Sequence, residues 1–301
     1  MSAAVPVTLV SGFLGAGKTT LVNHVLRSAQ GLRVGVLVND FGALGIDAAL
    51  ISGTAGDVVS LTNGCVCCTI KSDVVASLLQ MLEKQPEHVL IETSGISNPG
   101  AVVETIAELE HSGAIRLDGV VAVVDAETFD PSDKDRGLLT RCQVLAADLV
   151  VLNKIDLVSD PAEIRARIRV LKPEARIIEA TNAEIPLDVL IGHPHANKPH
   201  DHTHPEANHG FRSMTFTADQ PIAFRALAAA IQALPPNVFR VKGFVDAIER
   251  PGQKVIVHRV GERLFVRSEP GWTAPRTELV LIGANLDEAQ IRRDILAAVE
   301  R

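Results

Sequence analysis

Between residues 5 and 191, short apolar runs alternate with segments whose apolar residues recur every three to four positions. VTLVSG (7–12), VGVLVN (34–39), HVLIET (88–93), GVVAVVD (119–125), DLVVLN (148–153) and RIIEAT (176–181) are rich in β-branched residues and too short for helices. They read as strands buried on both faces. Segments near 18–29, 71–84, 100–112, 137–146 and 161–171 carry the helical period between them. Alternation of this kind predicts an α/β fold with a mostly parallel sheet.

The pattern stops at GHPHANKPHDHTHPEANHG (192–210), which has no apolar period and three prolines. It reads as an exposed linker. After it the style changes. FRSMTFT alternates like a half-buried strand, PIAFRALAAAIQAL is amphipathic at helical spacing, and FRVKGFVDAIE, KVIVHRV and RLFVRS are strands broken at Pro251-Gly252 and Gly261-Glu262. ELVLIG and a helix near 287–300 finish the chain. The expected organisation is an α/β domain over 1–191, a histidine-rich linker over 192–210 and a small α+β domain over 211–301.

Composition adds exclusions. The 301 residues are 47% hydrophobic and 22% charged, with a net charge of −7, which excludes disorder over most of the length. The charge is divided: residues 1–191 hold 15 Lys/Arg against 24 Asp/Glu, and residues 192–301 hold 14 against 12. Neither half is strongly basic, and aromatics make up 3% with no Tyr. Nucleic acid is therefore not an expected partner. No apolar run approaches the ~18 residues of a membrane helix, and Met1 to Val10 lacks a basic start and a cleavage site. The expectation is a cytoplasmic protein with no membrane partner.

The first strand runs into Gly12-Phe-Leu-Gly15-Ala16-Gly17-Lys18-Thr19-Thr20, followed by a helix. This matches G-x-x-x-x-G-K-[ST] in its required context, so the α/β domain is expected to be a P-loop NTPase. The glycines let backbone N–H groups wrap a phosphate chain, and the helix N-terminus adds its dipole. Lys18 is expected at the β- and γ-phosphates and Thr19 on Mg2+. Asn153-Lys154-Ile155-Asp156 ends the strand DLVVLN. An Asp156 carboxylate can accept both N–H donors on guanine's edge, a pair that adenine does not offer. GTP is therefore favoured over ATP, with Asn153 bracing the loops and the Lys154 stem against the base. Glu92-Thr-Ser-Gly95 also ends a strand, where such a site needs a carboxylate for Mg2+ or its water and a glycine N–H for the γ-phosphate. Asp125 ends another strand, and either touches the site or caps a helix. No residue stands out as the one orienting the attacking water, which implies slow hydrolysis without a partner.

Three of the four cysteines, Cys65, Cys67 and Cys68, fall within four residues. Thiolates suit Zn2+ and Cu+, and this spacing can place two or three sulfurs on one ion. The remaining ligand would come from Asp40, a histidine, water or a receiving protein, and an open site suits delivery. The alternative is a buried cysteine patch or a redox switch. Cys142, alone on a helical pattern, is expected in the core. Six of the ten histidines, His193, His195, His200, His202, His204 and His209, lie in the linker. They form either a weak, reversible metal store or a merely solvated segment. His24, His88, His111 and His258 are isolated and read as ordinary surface or packing residues.

In order, GFLGAGKTT, VNDFGALGID, LTNGCVCCT, IETSG and VLNKIDLV resemble the CobW-type metallochaperone GTPases, and the tail from FRSMTF to LVLIGANLDEAQI resembles that family's C-terminal domain. The resemblance covers nearly the whole chain and implies Mg2+-dependent GTP hydrolysis, Zn2+ (or Co2+) at the C-x-C-C motif, and metal transfer to a client apo-metalloprotein. The family usually reads N-E-F-G-E where this chain has Asn39-Asp40-Phe41-Gly42-Ala43, so one carboxylate is shortened and one lost. The alternative function is a zinc-status-sensing GTPase that binds partners without transferring metal. Metal held between two copies would give a nucleotide- or metal-dependent homodimer.

Overall fold

The computed structural model describes residues 4–29, 31–38, 56–60, 70–191, 211–273 and 275–299. The chain divides into two compact units, Met1–Ile191 and Gly192–Arg301. The apolar runs of the first unit become strands β1 (Val5–Ser11), β2 (Val34–Val38), β3 (Gly56–Ser60), β4 (His88–Glu92), β5 (Ile115–Asp125), β6 (Leu149–Asn153) and β7 (Ile177–Ala180). They lie in the order β3-β2-β4-β1-β5-β6-β7, and every pairing is parallel. Helices α1 (Lys18–Ser28), α2 (Ile70–Glu83), α3 (Pro99–Glu110), α4 (Gly137–Ala146) and α5 (Pro161–Leu171) lie between them, and the single turn α6 (Leu187–Leu190) follows β7. A parallel strand needs cover on both faces. Leu9, Leu37, Val89 and Ile91 bury one face with Leu78, Met81, Val102 and Ile106 of α2 and α3. Val10, Val36, Leu90, Val121 and Val123, at the alternate positions, are buried as well.

The sheet, expected to be mostly parallel, is parallel at every described pairing, as continuous apolar strands require. Two elements escaped the apolar pattern. β3, the sequence GDVVS, holds only two adjacent β-branched residues. β5 begins four residues before GVVAVVD, at Ile115, where Arg116 and Asp118 alternate with apolar neighbours and pair with each other.

The second unit is an antiparallel sheet of β8 (Phe211–Ala218), β9 (Val238–Asp246), β10 (Gln253–Val260), β11 (Arg263–Pro270) and β12 (Thr277–Ala284), in the order β11-β10-β9-β12-β8. Helices α7 (Phe224–Gln232) and α8 (Glu288–Val299) cover one face. Leu227, Ile231, Ile291 and Ile295 form one core with Phe216, Val241, Val245, Val257 and Leu281. This is the small α+β fold expected of the tail. Among the described residues, no helix is long and apolar enough to cross a membrane.

Candidate functional site

β1 lies beside β4, and the chain leaves β1 towards β2 on one side and leaves β4 towards β5 on the other. In an open α/β sheet such a switch point makes a crevice outside the carboxyl ends of the strands. The described motif residues around Lys18, Glu92 and Asn153 lie at those strand ends. Ser11 ends β1 and Lys18 opens α1, so residues 12–17 form the loop between them. Gly12 has a φ of +138°, and a Cβ on it would lie 2.1 Å from the Val123 carbonyl oxygen. Only glycine lets this loop leave the sheet against β5. The Lys18 ammonium donates to the Phe13 carbonyl at 3.1 Å, which keeps the cation of a residue only 7% exposed hydrogen-bonded. Gly15 and Thr20 are exposed, while Ala16 is buried.

Thr19, in the first turn of α1, donates its hydroxyl to Glu92 Oε1 at 2.8 Å. Glu92 ends β4 and is 3% exposed. A hydroxyl and a carboxylate brought together are hard oxygen donors of the kind that Mg2+ takes, so the residues present fit that ion. Gly95 follows, packed on the phosphate loop: a Cβ there would lie 2.7 Å from the Leu14 nitrogen.

Asn153 ends β6. Its Nδ2 donates to the Ala16 carbonyl at 2.9 Å, and its Oδ1 accepts from the Ala183 N–H at 2.7 Å. Lys154 adopts a left-handed backbone, and its ammonium donates to Asp125 Oδ2 at 2.8 Å. Asp125 thus touches the Asn153–Asp156 segment. Its other oxygen accepts from the Glu127 N–H at 3.0 Å, so it closes a turn instead of capping a helix. Asp156 is exposed in the short turn Ile155–Leu157.

Sequence reasoning missed the turn after β7. Asn182 and Ala183 both have positive φ. The signal was Thr181-Asn182, short polar residues directly after an apolar strand and near Pro186. It also missed Gln143, which α4 buries against the loop after Glu92. Cys142, expected in the core, is half-buried. Gly137, Gln143 and Val144 take the inward positions of α4 and leave Cys142 on its flank.

The isolated histidines have ordinary packing partners. His88 is hydrogen-bonded to Thr8 inside the sheet at 2.8 Å, His24 to the Ile185 carbonyl at 2.8 Å, and His111 to the Ala107 carbonyl at 3.0 Å. The His258 ring lies 6.2 Å from that of Phe265.

Asp40, Cys65, Cys67 and Cys68 lie outside the described residues, as do His193, His195, His200, His202, His204 and His209. Among the described residues, no three His, Cys, Asp or Glu side chains group as a metal site.

Two family descriptions match the chain: "CobW/HypB/UreG, nucleotide-binding domain" over residues 6–179, and "Cobalamin synthesis protein cobW C-terminal domain" over residues 211–299. The zinc chaperone CobW of Sinorhizobium sp is 32% identical over 347 residues, covering 98% of this chain and 97% of that one. The zinc chaperone CobW of Pseudomonas aeruginosa is 34% identical over 346 residues, covering 99% and 92%. The zinc-regulated GTPase metalloprotein activator 1 of Dictyostelium discoideum is 32% identical over 326 residues, covering 89% and 68%. With both descriptions matched in order and relatives aligned along nearly its whole length, the chain belongs to the CobW-type family of P-loop GTPase metallochaperones.

Proposed function

We propose that the chain is a GTP-hydrolysing metallochaperone that carries Zn2+, or Co2+, at Cys65, Cys67 and Cys68 and passes it to an apo-metalloprotein client. The observation that carries the nucleotide half is the convergence of Lys18, the Thr19–Glu92 hydrogen bond and the Asn153–Lys154 loop at the carboxyl ends of β1, β4 and β6. The metal half is supported by three thiols in four residues and by relatives named zinc chaperones.

In this reading the loop Gly12, Gly15, Ala16, Gly17 wraps the phosphate chain with its N–H groups. Lys18 exchanges the Phe13 carbonyl for the β- and γ-phosphates, and Thr20 extends the contacts of the helix N-terminus. Asp156 accepts the two guanine N–H donors, and the Lys154 stem, set by Asp125, lies along the base. Thr19 and Glu92 would hold Mg2+, which when bound neutralises charge on the phosphate oxygens. Gly95 offers its N–H to the γ-phosphate. Asp40 stands by as support for either ion. The six linker histidines collect metal weakly, since each binding event must order the chain. Hydrolysis is slow until a client docks, and it loosens a thiolate contact so that the metal moves on.

Competitive titration of Zn2+ and Co2+ with a Mg-GTP analogue, with Mg-GDP and without nucleotide tests the link. Metal affinity is expected to differ between nucleotide states, and Cys67→Ser with Cys68→Ser is expected to abolish the difference. Equal affinities in all three states would sink the proposal, because a ligand that does not discriminate states cannot shift them. Deleting 193–209 is expected to lower stoichiometry and spare the tight site. Transfer of radioactive zinc to an apo client separates delivery from a zinc-sensing regulator. Sedimentation with and without zinc reads the proposed homodimer.

A further inference from the structure

Gln143 is a polar side chain in the interior of α4 to which the function proposed above gives no work. It is 2% exposed. A primary amide so deep in a protein must find hydrogen-bond partners, and the partners are specific. Its Nε2 donates to the Gly95 carbonyl at 3.3 Å and to the Ser97 carbonyl at 3.4 Å. An amide nitrogen carries two hydrogens, enough for one on each carbonyl. Those two carbonyls flank Ile96, which is 47% exposed. Within the turn itself only Ser97 N–H to the Ser94 carbonyl, at 3.0 Å, is a backbone bond.

On one side of this turn lies the phosphate loop, against which Gly95 packs at Leu14. On the other lies α4, whose chain continues through Ala147 into β6 and ends at Asn153. Gln143 also lines a cavity of about 30 Å3 together with Phe13 of the phosphate loop, Asp125 and Arg136. One amide therefore stands between the loop that would meet a γ-phosphate, the loop that would hold the other phosphates, and the helix that feeds the base-binding strand.

We propose that Gln143 is a positioning residue whose amide sets the Gly95–Ser97 turn so that the Gly95 N–H can meet a γ-phosphate, and that it thereby fixes the preference for GTP over GDP. The inference rests on the nucleotide half of the function proposed above. GDP has no γ-phosphate, so its binding is indifferent to this turn. A ligand can shift a conformation only by its differential affinity for it, and here the discriminating group is the terminal phosphate.

Two variants test it in the full chain. Gln143→Met keeps most of the volume and removes the donor. Gln143→Glu keeps the shape and turns a carboxylate onto two carbonyls. Affinity for a non-hydrolysable GTP analogue is expected to fall about tenfold in both at pH 8, the scale of one or two lost hydrogen bonds, with GDP affinity within about twofold of wild type. At pH 6 the Glu variant is expected to recover part of its loss, because burial raises a carboxyl pKa and the protonated group can again donate one bond. The Met variant should show no such recovery. A merely structural role would weaken and recover both nucleotides together at either pH, and either that parallel behaviour or an unchanged analogue-to-GDP ratio would overturn the inference. If Gln143→Met does not fold, the comparison of Gln143→Glu at the two pH values stands alone and decides the same way. A wild-type chain that binds no guanine nucleotide would instead overturn the nucleotide reading, and this inference with it.

Discussion

The carboxamide of Asn153 joins the phosphate loop to the turn after β7, giving a hydrogen to Ala16 and taking one from Ala183. It is 2% exposed, so removing it leaves a carbonyl and an N–H without a partner where water cannot replace it. Asn153→Ala is expected to destabilise the first unit by about 2 kcal/mol, the cost of unsatisfied buried groups. Chemical denaturation followed by circular dichroism measures this, and guanine-nucleotide affinity is expected to fall as well. Asp156 stands at the other extreme, exposed and outside the core, so its substitution reads ligand chemistry and little else. In the proposed role of Asp156, Asp156→Asn removes one of the two acceptors offered to guanine and adds a donor. That donor matches the carbonyl of xanthine. The expected outcome is weaker GTP binding and a gain for XTP, read by competition with a fluorescent nucleotide; unchanged preference would place the base elsewhere.

At the scale of elements, α7 shows how a helix borrows its cap. Ala223 at its start has no side chain to accept the first N–H groups. Glu249, beyond the end of β9, supplies the acceptor: Phe224 N–H donates to Oε2 at 2.8 Å, and Arg225 N–H donates to Oε1 at 3.4 Å. The Phe224 N–H, with further backbone N–H groups, holds the Glu249 carboxyl below its ordinary value of 4.5. A depressed carboxyl pKa contributes stability above the unfolded value, and that contribution is lost as pH falls through the folded value. Glu249→Gln is therefore expected to cost about 0.5 kcal/mol at pH 7, a small figure because the group is exposed and screened. The difference between variant and wild type should vanish in acid. Denaturant midpoints at pH 7 and in acid measure it; a difference that persists in acid would mean that shape, not charge, caps the helix.

At the scale of the molecule, the α/β architecture was legible because short continuous apolar runs alternate with helical-period segments from residue 5 to 191. The phosphate loop was legible because its chemistry forces a fixed spacing. Val7, Leu9, Val89 and Ile91 announce themselves as buried strand positions. β3 did not, because GDVVS is short and opens with two poor strand formers. Gln143 was hidden for another reason: a glutamine on a helix reads as surface, and only tertiary packing turns it inward to Gly95. The Ala183 contact of Asn153 spans 30 residues, a pairing that no local pattern carries. Asp125 read equally well as a cap or a site residue, and only the fold shows that it pairs with Lys154 and accepts from Glu127.

The strand order has one more consequence. Among the described strands of the first sheet, β3 pairs with β2 alone, so one of its two hydrogen-bonding edges has no partner strand. Free energies of local opening are graded across a fold, and an outermost strand lies near the low end. β3 is also the strand from which the chain proceeds, five residues after Ser60, to Cys65. Cys65 thus follows an edge strand by five residues, whereas Glu92 and Asn153 end strands that pair on both sides. In the function proposed above, such a gradient would let the cysteine end release metal while the nucleotide end stays fixed.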